Sequence, residues 1–211
     1  MLFRSLRYGI GHDGRPLFPF MPFQTVSDED ITAVISYLRS QPPVKNVLKK
    51  TEYSFMGKAI VAFGLIKPEW PKVTPPKTVV KDSSITYGKY LADNVANCQG
   101  CHTERDLMTG EFTGPFYAGG LNIPSDPVIE GLSFVTPNLT PDPETGVMAA
   151  WTENAFINRF RSGRVHKSSP MPWGCFSRMD EIDLKALYRY LQSLAPVKRK
   201  VEKTVLREED K

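Results

Sequence analysis

The chain has 211 residues, of which 41% are apolar, and carries a formal net charge of +4. That apolar share excludes bulk disorder, and the charge is too mild and too scattered to argue for nucleic-acid binding. Proline is abundant at 18 residues, which implies much extended loop, and three cysteines, two of them three positions apart, exclude a disulfide scaffold.

The opening run Met1-Leu2-Phe3-Arg4-Ser5-Leu6-Arg7 lacks the apolar core and small-residue cleavage site of an export signal. No window approaches the roughly 18 to 20 apolar residues that span a bilayer. The longest candidate, 55–66, is interrupted by Lys58. Taken literally, these features describe a soluble, unexported chain. Gly9-Ile10-Gly11-His12-Asp13-Gly14 fits G-x-G-x-x-G, but no strand fits ahead of it and no helical pattern opens at its end. The dinucleotide reading is dismissed, and His12 reads as a solvated loop residue.

Residues 21–44 are repeated, with variation, at 171–197. The first copy reads Met21-Pro22-Phe23, then Ser27 to Asp30, then Ile31, Val34, Ile35 and Leu38, then Pro43-Val44. The second reads Met171-Pro172-Trp173, then Ser177 to Asp180, then Leu184, Leu187, Tyr188 and Leu191, then Pro196-Val197. The second copy carries three extra residues, about one helical turn. Upstream, Leu6-Arg7-Tyr8-Gly9 matches Phe160-Arg161-Ser162-Gly163. In both copies S-x-x-D fits a capping box, and the apolar spacing marks one buried helix face. Pro42 and Pro196 stop these helices, because proline cannot continue the hydrogen-bond ladder.

Between the copies, 45–81 reads as a linker rich in proline and lysine, with a short amphipathic helix around 55–65. Residues 84–97 predict a stronger helix, with Tyr87, Tyr90, Leu91, Val95 and Cys98 on one side. Residues 103–150 predict loop. Residues 151–161 predict a third helix, with Thr152 as cap and Phe156, Ile157 and Phe160 facing inward. The tail 198–211 is charged and is expected to be solvated. No alternation persists long enough to predict a sheet.

Cys98-Gln99-Gly100-Cys101-His102 is C-x-x-C-H, the attachment signature of a c-type haem. Two thiols one helical turn apart can form thioethers to two vinyl groups on one porphyrin edge, and the histidine that follows supplies an imidazole to the iron. A thioredoxin-type C-x-x-C expects a preceding strand, whereas a helix precedes this one. A zinc site would need four ligands, for which Cys98, Cys101, His102 and either His166 or Cys175 are available. For the sixth position of a haem iron the candidates are Met108, Met148, Met171 and Met179. Met171 is preferred, because Pro170 and Pro172 restrict its backbone and can aim its side chain. A thioether there raises the potential and blocks small ligands, whereas His166 in its place would lower the potential. Met179 is expected to pack in the core, and Cys175 to be a small buried thiol. Arg161 is a candidate bidentate partner for a haem propionate, and Trp151 a candidate donor to one.

The C-x-x-C-H motif, the Pro170-Met171-Pro172 loop and the Tyr190-Leu191 helix together resemble class I cytochrome c. Gly119-Gly120, the run from Thr136-Pro137-Asn138 to Gly146, Trp151 and Met171-Pro172-Trp173 narrow the likeness. The chain resembles the multi-haem cytochrome c subunits of membrane-associated bacterial dehydrogenases that oxidise alcohols, gluconate, aldehydes or N-heterocycles. The likeness covers 82–198 and, as the second half of a preceding domain, 1–44. Such subunits have tandem domains, each with its own motif and methionine. Here the first repeat keeps Met21 but has no C-x-x-C-H.

The resemblance implies an all-α fold in which one complete cytochrome c domain, 82–198, follows the C-terminal half of another, 1–44. Residues 45–81 would link them and 199–211 would form a tail. It implies one covalent haem c on Cys98 and Cys101, ligated by His102 and Met171, with no catalytic residue in this chain. Electrons would come from a partner dehydrogenase and pass to a quinone, cytochrome or oxidase. Haem of this type is attached outside the cytoplasmic membrane, so a periplasmic location is implied. Met1 aligns with Ala155 in mid-helix of the second copy, which would make the sequence an N-terminally truncated form and would account for the missing export signal. Two other readings stay open: a haem enzyme with an open sixth site, such as a peroxidase, and a non-redox interaction module built on 1–44.

Overall fold

In the computed structural model, the described residues are 2–17, 23–47, 53–64, 73–107, 110–124, 131–165 and 169–207. Met21, Met108 and His166 lie outside them. The chain divides into two compact units, Met1–Val79 and Val80–Lys211. Among the described residues no helix is long and apolar enough to cross a membrane.

The first unit contains α1 (Leu2–Tyr8), α2 (Asp28–Ser40) and α3 (Phe55–Ala62). Ser27 caps α2 as its sequence predicts, its hydroxyl accepting from the Asp30 amide at 3.0 Å. Arg7, buried at the end of α1, clamps the chain ahead of α2. Its Nη1 donates to the carbonyls of Gln24 (2.8 Å) and Val26 (2.7 Å), and its Nη2 to Asp28 Oδ1 (2.6 Å). The expected apolar face of α2 is only partly covered: Ile31 is buried, but Val34 is 48% and Leu38 46% exposed.

The second unit opens with α4 (Ile85–Tyr90), capped by Ser84. The chain continues through a π-helical turn, Leu91–Val95, and α5 (Cys98–Cys101). It then runs through strands β1 (Asn122–Ile123) and β2 (Leu132–Val135) to α6 (Glu153–Arg161), α7 (Trp173–Phe176), α8 (Glu181–Gln192) and β3 (Val205–Arg207). The sequence predicts one continuous helix over 84–97. The π turn breaks it, the Ala96 amide reaching back to the Leu91 carbonyl at 2.7 Å. One extra residue per turn rotates the next stretch of chain, so Val95 is exposed instead of facing inward with Tyr87, Tyr90 and Leu91. On α6, Thr152 caps the helix and Phe156, Ile157 and Phe160 are buried, as expected.

The core sits where α4 crosses α8, with α6 packed alongside. Gly88 makes the crossing possible: a Cβ there would lie 2.0 Å from the Ala186 carbonyl oxygen. Leu184, Leu187 and Leu191 are fully covered at this interface, each contributing about 1.5–3 kcal/mol by burial. Phe156, Phe160, Trp173 and Tyr188 form an aromatic cluster between α6, α7 and α8.

The described structure is mostly helical, but the all-α expectation needs two corrections. β1, β2 and β3 form a small antiparallel sheet in that order, with Ile123 opposite Phe134 and Ser133 opposite Leu206. Strands of two to four residues are too short to show alternation, and the third comes from the tail that was expected to be solvated. Arg199 in that tail is ion-paired with Glu104 at 2.7 Å. The second capping box is also different. Ser177 closes α7, and Asp180 begins α8 with its carboxylate on Lys81 rather than on the helix amides. The additional turn of sequence in this copy lies between them.

Gly88→Ala is expected to lower stability by about 2–3 kcal/mol, because the methyl group forces two helix backbones apart. Gly174→Ala, which meets nothing within 4 Å, is expected to stay within about 0.5 kcal/mol of the parent. Denaturant midpoints of the two variants check the pair, and equal losses would contradict the crossing.

Candidate functional site

α5 places Cys98 and Cys101 three residues apart on a single turn, and His102 caps it, its amide donating to the Cys98 carbonyl at 2.8 Å. Asn97, in the left-handed region at φ 51°, turns the chain sharply into α5; asparagine tolerates this conformation better than most residues. Both thiols are held protonated. Burial, with a smaller push from Cys101, raises Cys98 to about 12. Burial also raises Cys101, although the Arg105 guanidinium opposes it. Redox-active C-x-x-C pairs have a lowered thiol, so this environment does not match disulfide exchange.

His102 Nδ1 lies 3.0 Å from the Pro137 carbonyl oxygen. A carbonyl only accepts, so Nδ1 carries the proton and Nε2 presents its lone pair. Burial favours the neutral ring and lowers its pKa, with the Pro137 bond opposing. The imidazole is thus fixed in orientation and tautomer for ligation through Nε2.

The Pro137 carbonyl is itself held by the loops around it. The Gly119 amide donates to the His102 carbonyl at 2.8 Å, the Gly120 amide to Thr136 at 2.8 Å, and the Leu139 amide to Tyr117 at 2.8 Å. Gly119 has φ +71°, and a Cβ there would stand 2.4 Å from the Thr136 oxygen and 2.5 Å from the Pro137 carbonyl carbon. Beyond Pro137 the chain knots around buried Asn138. Its Oδ1 accepts from the amide (2.9 Å) and hydroxyl (2.8 Å) of Thr140, while Nδ2 donates to Thr145 (3.0 Å) and to the Val197 carbonyl (2.8 Å). Asp142 Oδ1 accepts from the Thr145 hydroxyl (2.6 Å) and amide (2.8 Å). A fully satisfied buried network of this kind holds a loop as rigidly as a helix would.

Met171 is half-buried in a bend just before α7. Its carbonyl accepts from the Trp173 amide (2.8 Å) and from Arg164 Nη2 (3.2 Å). Trp173 anchors this loop: its ring is buried against Phe160, its Nε1 donates to Ser169 Oγ at 3.0 Å, and the Arg159 guanidinium stacks 3.8 Å above it. Met148 is buried in the core and Met179 is half-buried. Arg161 is exposed, and its Nη1 donates to the Ser177 carbonyl at 2.6 Å. Trp151 is half-buried, with its carbonyl accepting from Tyr188 at 2.7 Å. Cys175, expected to be buried, is exposed, because the short turn of α7 directs it outward while Trp173 takes the inner face. Among the described residues no three or more His, Cys, Asp or Glu side chains converge on one point.

Sequence reasoning singled out the thiols and His102 but gave no role to Pro137 or Gly119. The signal was present in the paired glycines and the Thr136-Pro137-Asn138 run, without any indication that one reaches the other. The donor set fits a covalent haem: two unionised thiols on one turn and a neutral imidazole with a free Nε2. Arg105, whose charge acts on Cys101, keeps its Nε buried with no hydrogen-bond partner in the described structure.

No protein-family model matches the chain. It is 30% identical over 215 residues to the cytochrome c subunit of a quinone alcohol dehydrogenase from Gluconacetobacter polyoxogenes, covering 92% of this chain and 43% of that protein. It is 25% identical to the fructose dehydrogenase cytochrome subunit of Gluconobacter japonicus, covering 96% of this chain and 42% of the relative. It is 24% identical to the gluconate 2-dehydrogenase cytochrome c subunit of Pantoea cypripedii, covering 90% and 46%. The chain therefore spans less than half the length of these relatives. On this sequence likeness the chain is a homologue of the cytochrome c subunits of alcohol, fructose and gluconate dehydrogenases, the group that its C-x-x-C-H motif and its Met-Pro loop resemble.

Proposed function

We propose that this chain is an electron carrier with one covalent haem c, receiving electrons from a partner dehydrogenase and passing them to a quinone, cytochrome or oxidase outside the cytoplasmic membrane. The observation that carries this reading is the His102–Pro137 hydrogen bond beside two protonated thiols. The bound haem supplies a one-electron ferrous–ferric couple. Cys98 and Cys101 would hold its ring through thioethers, and His102 would ligate the iron through Nε2, its basicity raised by the Pro137 carbonyl. Met171, its backbone steadied by Trp173 and Arg164, would supply a thioether to the iron and keep small molecules from it. Trp151 and the remaining N–H groups of Arg161 are assigned to the propionates. The names of the relatives support a dehydrogenase partner.

For the chain as a whole, 1–44 acts as the C-terminal half of a cytochrome c-like repeat, 45–81 as linker, 82–198 as the haem domain and 199–211 as its tail. Arg7 and Arg161 support the repeat. Both follow the same helix pattern, and both donate to a loop carbonyl ahead of the longer helix of the copy, Val26 before α2 and Ser177, at the end of α7, before α8.

Two outcomes test this reading. In the haem-loaded chain, Met171→Ala is expected to lower the reduction potential and to gain carbon monoxide binding in the ferrous state, followed by absorbance. A parent that already binds carbon monoxide, unchanged in the variant, would establish the open-site haem enzyme instead. Gly119→Ala is expected to cost about 1–3 kcal/mol more than Gly110→Ala, since both have positive φ but nothing lies within 4 Å of a Cβ at 110. It should also raise the potential, as the Pro137 carbonyl is pushed off His102. Equal denaturation midpoints and an unmoved potential would show that the clamp does not matter.

A further inference from the structure

Two unusual backbone features meet in one hydrogen bond. The π turn points Asp93 inward, leaving its side chain 18% exposed; such turns are frequent at functional sites. Tyr117, 1% exposed, is held at φ 62°, a costly conformation for a bulky aromatic residue. Its hydroxyl donates to Asp93 Oδ1, while Asp93 Oδ2 pairs with Lys89 one turn earlier. Tyr190 closes the group, edge-on to Tyr117 at 5.8 Å and with the Lys89 ammonium 5.5 Å from its ring centroid. The Tyr117 backbone serves the His102 clamp through its bond from the Leu139 amide, but neither that clamp nor the C-x-x-C-H geometry requires the side-chain group. Asp93 is largely withdrawn from water, and Tyr117 and Lys89 together satisfy both of its oxygens.

The position of the group supplies a reason. Asp93 stands five residues before Cys98, in the π turn that packs directly against α5. Burial and the adjacent carboxylate keep the Tyr117 hydroxyl protonated, so it remains a donor. We propose that Lys89, Asp93 and Tyr117 form a potential-setting group at the haem-attachment edge, with Asp93 as the fixed negative charge, Tyr117 as its positioning donor and Lys89 as its counter-charge. This rests on the haem reading above. Reduction adds one electron to the haem and lowers its charge by one. A nearby negative charge opposes that step and a positive one favours it, more strongly from the partly buried Asp93 than from the exposed Lys89.

The test uses the full chain with haem attached, titrated at equilibrium with redox mediators at low salt. Asp93→Asn is expected to shift the reduced-to-oxidised ratio at fixed ambient potential toward reduced by about threefold or more, roughly 28 mV at 59 mV per tenfold for one electron. Lys89→Gln is expected to shift it the opposite way, and both shifts are expected to shrink in high salt. A purely structural role predicts no such reversal of sign. Two variants that move together, or not at all, would overturn the proposal while leaving the haem reading standing. A parent chain that carries no covalent haem would overturn both. If Asp93→Asn does not fold, Lys89→Gln decides alone, since its side chain is 60% exposed; an unmoved potential there refutes the group.

Discussion

The hydrogen bond from His102 Nδ1 to the Pro137 carbonyl is the interaction on which the site depends. An unpartnered histidine at the end of α5 would choose between two tautomers and several rotamers. The carbonyl removes that freedom and leaves a single lone pair available to a metal. The acceptor lies 35 residues away in sequence, so the geometry is only as good as the loops that carry it. Gly119 allows two backbones to touch, and the Asn138 knot fastens the far side to Val197 near the C-terminal end of the unit. Thr136, Asn138, Thr140 and Asp142 are therefore buried to support a carbonyl, where composition alone would assign them to surface loop.

The two copies of the repeat show what the same helix pattern does in different surroundings. In the second, α8 buries Leu184, Leu187 and Leu191 because Gly88 lets α4 lie directly against Ala186. In the first, α2 has the same spacing and a good cap, yet Val34 and Leu38 stay largely exposed, since α1 covers only its start. A hydrophobic stripe predicts a helix and the direction of its apolar face. Whether that face is covered depends on a second element. Both copies have an arginine at a helix end that donates to loop carbonyls, Arg7 to Gln24 and Val26 and Arg161 to Ser177.

The features legible in the sequence were the local ones. The helices at 28–40 and 153–161 follow from apolar period and caps and the one at 181–192 from its period, and C-x-x-C-H points to haem attachment by its spacing. The features that escaped were non-local or set by backbone geometry. The sheet joins residues near 122 and 133 to the tail, and no stretch of it is long enough to alternate. The π turn that exposes Val95 and turns Asp93 partly inward has no sequence period of its own. Ser177 resembled a cap because its neighbours match those of Ser27, but an extra turn of chain in this copy made it the end of one helix rather than the start of the next. Cys175 looked like a core thiol by residue type, and the four-residue helix that carries it turns it to solvent.

The central claim is that Cys98 and Cys101 are the covalent anchors of a haem. Mass spectrometry of the tryptic peptide 90–105, from chain produced alongside a haem-attachment system, tests it most directly. The account predicts a peptide heavier by one haem, with neither cysteine open to alkylation. A peptide with two free thiols, or with a disulfide between them, would contradict it.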